Sequence, residues 1–281
     1  MKKFILLLIV LSSCTGDNID VLASDQLTVE GEIKDNSFAE IRLTNSIAFA
    51  GVIDSLEIAK SIESKARVEL FDGEVSEVLT LKRDDFNFPF LYYRSNIIKG
   101  EKGRVYNLSI SIRGKEFNSK TQVPEKPEVV NIDFLESVKD GVVQPDYRDV
   151  KLTIKNDIKS VQYFKILVRN ENEAKFSYAK PFIFNTENIA TNQFPVIVTY
   201  VEIQDDGERK NKFKVDEVIE LQLVGITKEQ FDFWKSIKGD ESTLIDNSSF
   251  TNEVISNISN GAFGYWSGEN VDNLKFKILQ K

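Results

Sequence analysis

The sequence contains no histidine, and its single cysteine is Cys14 in a chain of 281 residues. Without histidine, the Ser-His-Asp and Cys-His arrangements that usually activate a nucleophile cannot form. Zinc, copper and iron sites built on histidine or cysteine ligands are excluded for the same reason. Neither GxGxxG nor GxxxxGK[ST] occurs, so the glycine-rich phosphate cradles are absent from the sequence. We therefore predict a protein that is not an enzyme and that has no cofactor and no metal site. The remaining alternatives are carboxylate catalysis, carboxylate-bound calcium, or a lysine or serine that acts without its usual partners.

Basic residues are outnumbered by acidic ones, 36 against 44, and the formal net charge is −8. Nucleic-acid affinity depends on Lys and Arg that neutralise phosphates. The sequence shows no basic stripe with interleaved aromatics, and we expect no nucleic-acid partner. Apolar residues make up 41% of the chain, including 20 phenylalanines, which is enough to build packed cores. The length indicates one or two domains.

A short apolar run begins the chain. Two lysines precede residues 4–11, and these eight residues are all apolar. A membrane-spanning helix needs about 20 such residues, whereas the apolar region of a secretory signal has about 7–15. Residues 1–13 are therefore predicted to be a signal peptide.

The end of this run, Leu11-Ser12-Ser13-Cys14, resembles the bacterial lipobox. The resemblance implies that the Cys14 thiol receives a diacylglycerol, that the peptide is cut before Cys14, and that the new amino group is acylated. Two or more acyl chains hold a protein stably, since each buried methylene contributes roughly 0.8 kcal/mol. An ordinary secretory signal with a coincidental cysteine is the alternative. Residues 14–24 would be a lipidated tether, and the absence of Asp after Cys14 favours the outer membrane, on a face that the sequence does not specify.

Period-two alternation of apolar and polar residues dominates the rest of the chain. Short runs with one apolar face, separated by Gly and Asp, predict antiparallel β-sandwiches; they occupy residues 27–33, 41–44, 66–70, 106–112, 150–155, 163–168, 196–203 and 215–224. One insertion, residues 55–64, has helical spacing and predicts a short helix or an ordered loop. Two prolines, Pro124 and Pro127, favour an extended linker. We predict an all-β protein with two Ig-like or transthyretin-like sandwiches, at residues 25–123 and 124–281.

One C-terminal helix is predicted at residues 228–238. Thr227 can cap its first turn, Gln230 completes a capping box, and Gly239 ends it. Phe231, Trp234 and Ile237 share one face, which favours docking on a sheet over a groove for a partner. After the helix, Gly261, Gly264 and Gly268 indicate positive φ or close backbone approach.

Four aromatic residues are candidate contacts for a ligand or partner: Tyr92, Tyr93, Tyr265 and Trp266. Aromatic faces can stack on sugars, although packing in a core explains the same residues. Asp84 and Asp85 precede the first pair, but adjacent strand residues point to opposite faces and would not converge on one glycosidic bond. The cluster at residues 205–208 is too compact for a dedicated calcium loop and predicts a hairpin tip.

Several segments resemble a known family. Residues 27–33 (LTVEGEI) after a lipobox are similar to the opening strand of the family called domain of unknown function 4249. Residues 221–239 (LQLVGITKEQFDFWKSIKG) and 254–266 (VISNISNGAFGYW) resemble its closing segment, in which a strand, a helix and an Asn-Gly-x-x-Gly-aromatic stretch follow one another. The resemblance covers nearly the whole mature chain. The insertion at residues 55–64 departs from the family pattern, and any contact made by that loop is in doubt.

The resemblance implies an outer-membrane lipoprotein of Bacteroidota, with a membrane anchor and a TonB-dependent β-barrel receptor as its partner. It implies an accessory role in transport or export and carries no catalytic residues. Asp54-Ser55-Leu56 resembles the short O-glycosylation motif of exported proteins in that phylum, which makes Ser55 a possible glycosylation site; a helix cap is the alternative. A glycan- or peptide-capture module is the alternative function, and the identity of any small-molecule ligand is open.

Overall fold

The computed structural model describes residues 26–46, 59–139, 141–203, 209–211, 213–238 and 254–280. Within these ranges, β-strands dominate. The first half of the chain forms β1 (Leu27–Lys34), β2 (Phe38–Asn45), β3 (Arg67–Phe71), β4 (Ser76–Val78), β5 (Thr80–Arg83), β6 (Leu91–Lys99), β7 (Val105–Ile112) and β8 (Lys115–Gln122). The second half forms β9 (Val129–Lys139), β10 (Val142–Lys155), β11 (Tyr163–Asn170), β12 (Ser177–Asn185), β13 (Gln193–Val198), β14 (Val201–Ile203), β15 (Arg209–Asn211), β16 (Val218–Ile226), helix α1 (Lys228–Lys238) and β17 (Phe263–Lys277).

One eight-stranded sheet extends through both halves, in the order β12-β11-β16-β17-β1-β2-β6-β5. A four-stranded sheet, β4-β3-β7-β8, packs against one end of it around a core that includes Ile41, Leu70 and Leu108. A three-stranded sheet, β13-β10-β9, packs against the other end around a second core that includes Leu152 and Phe164. The predicted all-β sandwich fold is confirmed.

Strand β17 belongs to both packed units. Residues 263–269 pair in parallel with β1, whereas residues 270–277 pair antiparallel with β16. Trp266 consequently lies in the first core although it is close to the C-terminus. The division of the chain at residue 124 stays a prediction, and the structure adds that this last strand returns to the sheet begun by β1.

Local sequence signals explain several turns. Arg113 and Gly114 both have positive φ, 49° and 74°, and form the two-residue turn between β7 and β8 that the strand twist favours. Helix α1 spans the predicted residues, and the amide of Gln230 donates to Oγ1 of Thr227 at 3.4 Å. Residues 59–61 form a helical turn in the predicted insertion, whose earlier part lies outside the described residues.

Candidate functional site: a buried ion pair and an exposed apolar edge

The largest buried polar network lies where helix α1 meets the eight-stranded sheet. The Lys165 ammonium on β11 donates to Oε1 of Glu269 on β17 at 2.5 Å, and both side chains are at least nine-tenths buried. The Gln230 amide on α1 donates to the same carboxylate oxygen at 2.8 Å. Ser267 in turn donates to Oε1 of Gln230 at 2.8 Å. This network ties the helix to two strands of the sheet.

Two further charges extend the network along β1. The Lys34 ammonium lies 2.7 Å from Oε1 of Glu32 and 3.9 Å from Oε2 of Glu269. Burial alone would raise the pKa of Glu32, but the ammonium groups of Lys34 and Lys165 outweigh this effect and lower the pKa to about 2. Burial would lower the pKa of Lys34, yet the neighbouring Glu32 and Glu269 carboxylates raise it above its usual value. Glu32 and Lys34 therefore stay charged at neutral pH.

The chemistry of this network favours a structural role. A general acid or base needs a pKa near the working pH, so that it can exchange a proton. Glu32 and Lys34 are shifted away from neutrality. The Lys165–Glu269 pair compensates two charges that would be costly to bury alone. Sequence reasoning missed the network because its members lie up to 237 positions apart (32 to 269) and carry no local motif.

The predicted contact residues Tyr92 and Tyr93 lie on opposite faces of β6. Tyr92 is half-buried, and the guanidinium carbon of Arg42 lies 5.0 Å from the centre of its ring. Tyr93 is 4% exposed, and its hydroxyl accepts a hydrogen bond from the amide of Ala66 at 3.0 Å. The structure therefore gives Tyr93 a packing role in place of the predicted contact, because a buried ring offers no face to a ligand. Tyr92 keeps one partly exposed face.

The predicted contacts Tyr265 and Trp266 alternate across β17. The Tyr265 ring packs 5.1 Å from Phe233 of helix α1, and burial with nearby carboxylates raises its pKa well above the ordinary value. Trp266 has no exposed surface, and its indole Nε1 donates to the carbonyl oxygen of Tyr106 at 3.2 Å. Both rings thus pack inside the protein. The two other predicted positions, Cys14 and Ser55, lie outside the described residues.

Six exposed apolar side chains lie on a different part of the molecule, and we call the surface that they form the apolar edge. Strand β5 ends the eight-stranded sheet and β4 ends the four-stranded sheet, so one continuous segment forms the described edge of both. On or beside that segment, the exposed large apolar residues are Val75 (44%), Val78 (47%), Leu81 (38%), Phe86 (82%), Phe88 (56%) and Ile97 (72%). Contiguous apolar patches on a protein surface mark interaction sites, and we take the apolar edge as the candidate surface.

The loop that carries Phe86 and Phe88 is held by Asp84. Its carboxylate accepts hydrogen bonds from the amide of Phe86 at 3.0 Å and from the side-chain amide of Asn87 at 2.6 Å. The hydrogen bond from Asn87 is the main cause, and the bond from Phe86 is the next, of a lowered pKa for the Asp84 carboxyl group. The amide of Asp84 also donates to the carbonyl oxygen of Phe90 at 2.8 Å, which closes the loop. Asp84 therefore presents two exposed phenyl rings in a defined conformation.

The buried carboxylate of Glu77 supports the other end of the apolar edge. Glu77 is 7% exposed and accepts hydrogen bonds from the amides of Asn96 (2.5 Å), Ile97 (3.1 Å) and Ile98 (2.9 Å). These three amides lie where β6 shifts register against β2. At this shift they do not take part in the regular hydrogen bonding between the two strands. Glu77 thus satisfies the bulge that turns Ile97 outward. The alternation of inward and outward residues along β4 indicates that Glu77 faces inward. No pattern in the sequence identifies the three amides that it binds.

Within the described ranges, no cluster of three or more acidic, histidine or cysteine side chains is placed to hold a metal ion. The described helices include none with the length and apolarity to cross a bilayer.

The fold and the apolar edge define the chain as a β-sandwich protein with a surface suited to contact. Its sequence matches the family model named Domain of unknown function (DUF4249) over residues 17–275, and the chain belongs to this family. None of the curated proteins compared with the chain matches it.

Proposed function

We propose that this protein is a non-catalytic binding subunit, anchored to the outer membrane by lipid on Cys14, and that it contacts a TonB-dependent receptor-type β-barrel of a transport complex. The proposal combines the lipobox at residues 11–14 with the family membership of the chain. The apolar edge is the surface that we assign to the receptor.

The observation that carries the proposal is the presentation of Phe86. Its side chain is 82% exposed, although the loop around it is closed by hydrogen bonds to Asp84. Aromatic residues are enriched at protein interfaces, and a preformed loop reduces the entropy lost on binding. Exposing a large ring from an ordered loop costs free energy in the isolated protein, which a partner would recover on covering it.

The tether sets the distance over which this contact could occur. Twelve residues separate Cys14 from Leu27, the first residue of β1. A fully extended chain spans at most about 3.6 Å per residue, so the anchor and the first strand can be about 40 Å apart. That reach is sufficient for the sandwiches to contact a protein embedded in the same membrane.

Site-specific photocrosslinking in intact cells tests the proposal. A photoreactive phenylalanine replaces Phe86, and a matched control replaces Ile197, which is 53% exposed on β13 of the second packed unit. We expect position 86 to crosslink a large β-barrel protein and position 197 to give no such product. Equal products at both positions, or none at position 86 with full expression, would contradict the proposed contact.

The anchor is tested separately with Cys14→Ser. We expect this variant to lose incorporation of labelled fatty acid and to leave the membrane fraction, because no other cysteine can accept the lipid. Unchanged lipid labelling would rule out Cys14 as the attachment point.

A glycan- or peptide-capture module is the second candidate. Tyr93, Tyr265 and Trp266 are buried, whereas Tyr92 is half-buried and Phe88, a further candidate for stacking, is 56% exposed. A different feature favours a capture role, namely a cleft beside the linker at residues 124–128.

A further inference from the structure

A cleft of about 590 Å³ lies between the linker and the second packed unit. One wall is the linker, residues 124–128, and the other is the loop at residues 156–162 that joins β10 to β11. Tyr163 at the start of β11 and Gly225 near the end of β16 complete the lining. The volume falls within the range of about 300–1,000 Å³ typical of sites for small ligands.

The charges at this cleft are balanced by pairs. Glu128 lies 2.7 Å from the Lys155 ammonium on the rim. Lys126 is paired with Asp272 at 3.1 Å, and Glu125 with Lys102 at 3.0 Å. A strongly charged ligand would have to displace these pairs. The balance favours an uncharged ligand.

Polar groups that can bind hydroxyls converge from the loop at residues 156–162. Asp157 is a carboxylate acceptor whose pKa is lowered by hydrogen bonds from the amide of Lys159 and the hydroxyl of Ser160. The side-chain Oε1 of Gln162 accepts a hydrogen bond from the backbone amide of Asp157 at 2.9 Å. Its Nε2 makes no hydrogen bond to any described residue and is therefore a donor for a ligand. Asp157 thus offers an acceptor and Gln162 a donor, two and seven residues after Lys155.

Asn156 adds a buried polar group to the wall. It is 6% exposed, and its Nδ2 donates to the carbonyl oxygens of Ile189 at 3.2 Å and Thr191 at 2.8 Å. Its Oδ1 is buried and has no hydrogen-bond partner among the described residues. A buried acceptor without a partner is unfavourable in the free protein.

The backbone of the strands lining the cleft is already engaged. Tyr163 pairs with Asn185 on one side and with Ile226 on the other. Gly225 pairs with Phe164 and Asn270. An extended peptide could therefore not add to these strands through main-chain hydrogen bonds. Recognition must use side chains, which suits a ligand rich in hydroxyl groups.

We propose that the cleft at residues 124–128 and 156–164 binds a short neutral oligosaccharide, with Asp157 and Gln162 bonding its hydroxyls and the linker prolines packing against its C–H faces. This assignment deepens the second candidate function and does not require the receptor contact.

The test uses the full-length protein, solubilised in detergent, in affinity gels containing neutral polysaccharides: dextran, starch, laminarin, mannan, xylan and galactomannan. Val161 lines the cleft and is 45% exposed, so Val161→Trp fills the site with little effect on the core. Ile158 lies in the same loop, is 58% exposed and does not line the cleft, which makes Ile158→Trp the matched control. Val161→Arg is a second blocking variant in case the first unfolds.

We expect at least one neutral polysaccharide to retard the protein. Val161→Trp should weaken this binding at least tenfold, whereas Ile158→Trp should retain it, with both melting temperatures close to that of the parent. Retardation unchanged by either blocking variant, or no retardation by any polysaccharide, would overturn the proposal. Binding of a peptide library that Val161→Trp abolishes would overturn the ligand class. Crosslinking at position 86 is independent of all these outcomes, so failure here is distinguishable from failure of the receptor contact.

Discussion

Gly31 on β1 lies directly opposite Trp266 on β17 in the parallel strand pair, and a Cβ at position 31 would come within 2.8 Å of the indole Cε3. The glycine therefore makes room for the largest fully buried side chain of the first core. We expect Gly31→Ala to lower the free energy of unfolding by about 1–3 kcal/mol, the usual cost of overpacking a core. Urea denaturation of the two proteins measures the difference.

A double-mutant cycle separates this steric clash from other effects of alanine. Trp266→Phe removes the part of the ring system that the new Cβ would meet. The combined variant should lose less stability than the sum of the two single variants. Strict additivity would show that Gly31 is required for another reason, such as backbone conformation.

The Lys165–Glu269 pair predicts a large loss of stability when one partner is removed. Lys165→Met leaves a fully buried carboxylate with Gln230 and a distant ammonium, and should cost about 3–5 kcal/mol. Arg169→Met, on the same strand, removes the more exposed pair with Glu220 and should cost about 1 kcal/mol or less. Chemical denaturation compares them; equal losses would show that burial of the first pair does not matter. The double variant Lys165→Met/Glu269→Leu should recover part of the loss.

The lowered pKa of Glu32 predicts that its contribution to stability falls in acid. Its pKa is about 2 in the folded protein against an ordinary 4.5, so the folded state favours the ionised form. The contribution is fully present above pH 5 and is lost as the pH falls from about 4.5 through about 2, with an upper limit of about 3 kcal/mol. The stability difference between the parent and Glu32→Gln, measured by urea unfolding, should shrink over that range.

Glu77 predicts a local change at the bulge of β6. Glu77→Ala removes the acceptor of the amides at Asn96, Ile97 and Ile98, and these amides should exchange hydrogen faster by at least tenfold. Glu74→Ala is the control, because the Glu74 side chain is 80% exposed and makes only a surface ion pair with Arg104. Hydrogen exchange followed by mass spectrometry distinguishes them. Unchanged exchange at residues 96–98 would show that the bulge does not depend on Glu77.

Local sequence signals predicted the elements well where one face of a strand or helix is buried. The alternation at residues 27–33 and 106–112 became β1 and β7, and the capping residue Thr227 marks the start of α1. The same local patterns could not distinguish an aromatic residue in a core from one on a surface. Tyr93, Tyr265 and Trp266 were predicted as contacts and are buried, whereas Phe86 is exposed.

The all-β class and the exclusion of histidine chemistry follow from the sequence alone, because composition and period-two alternation can be read from short segments; the lipid anchor at Cys14 stays a prediction. Only the tertiary structure decided that β17 joins β1 to β16, that Lys165 meets Glu269, and that Gly31 admits Trp266. These contacts join residues 45 to 235 positions apart, so their partners are selected by sheet order and register, which no local pattern specifies.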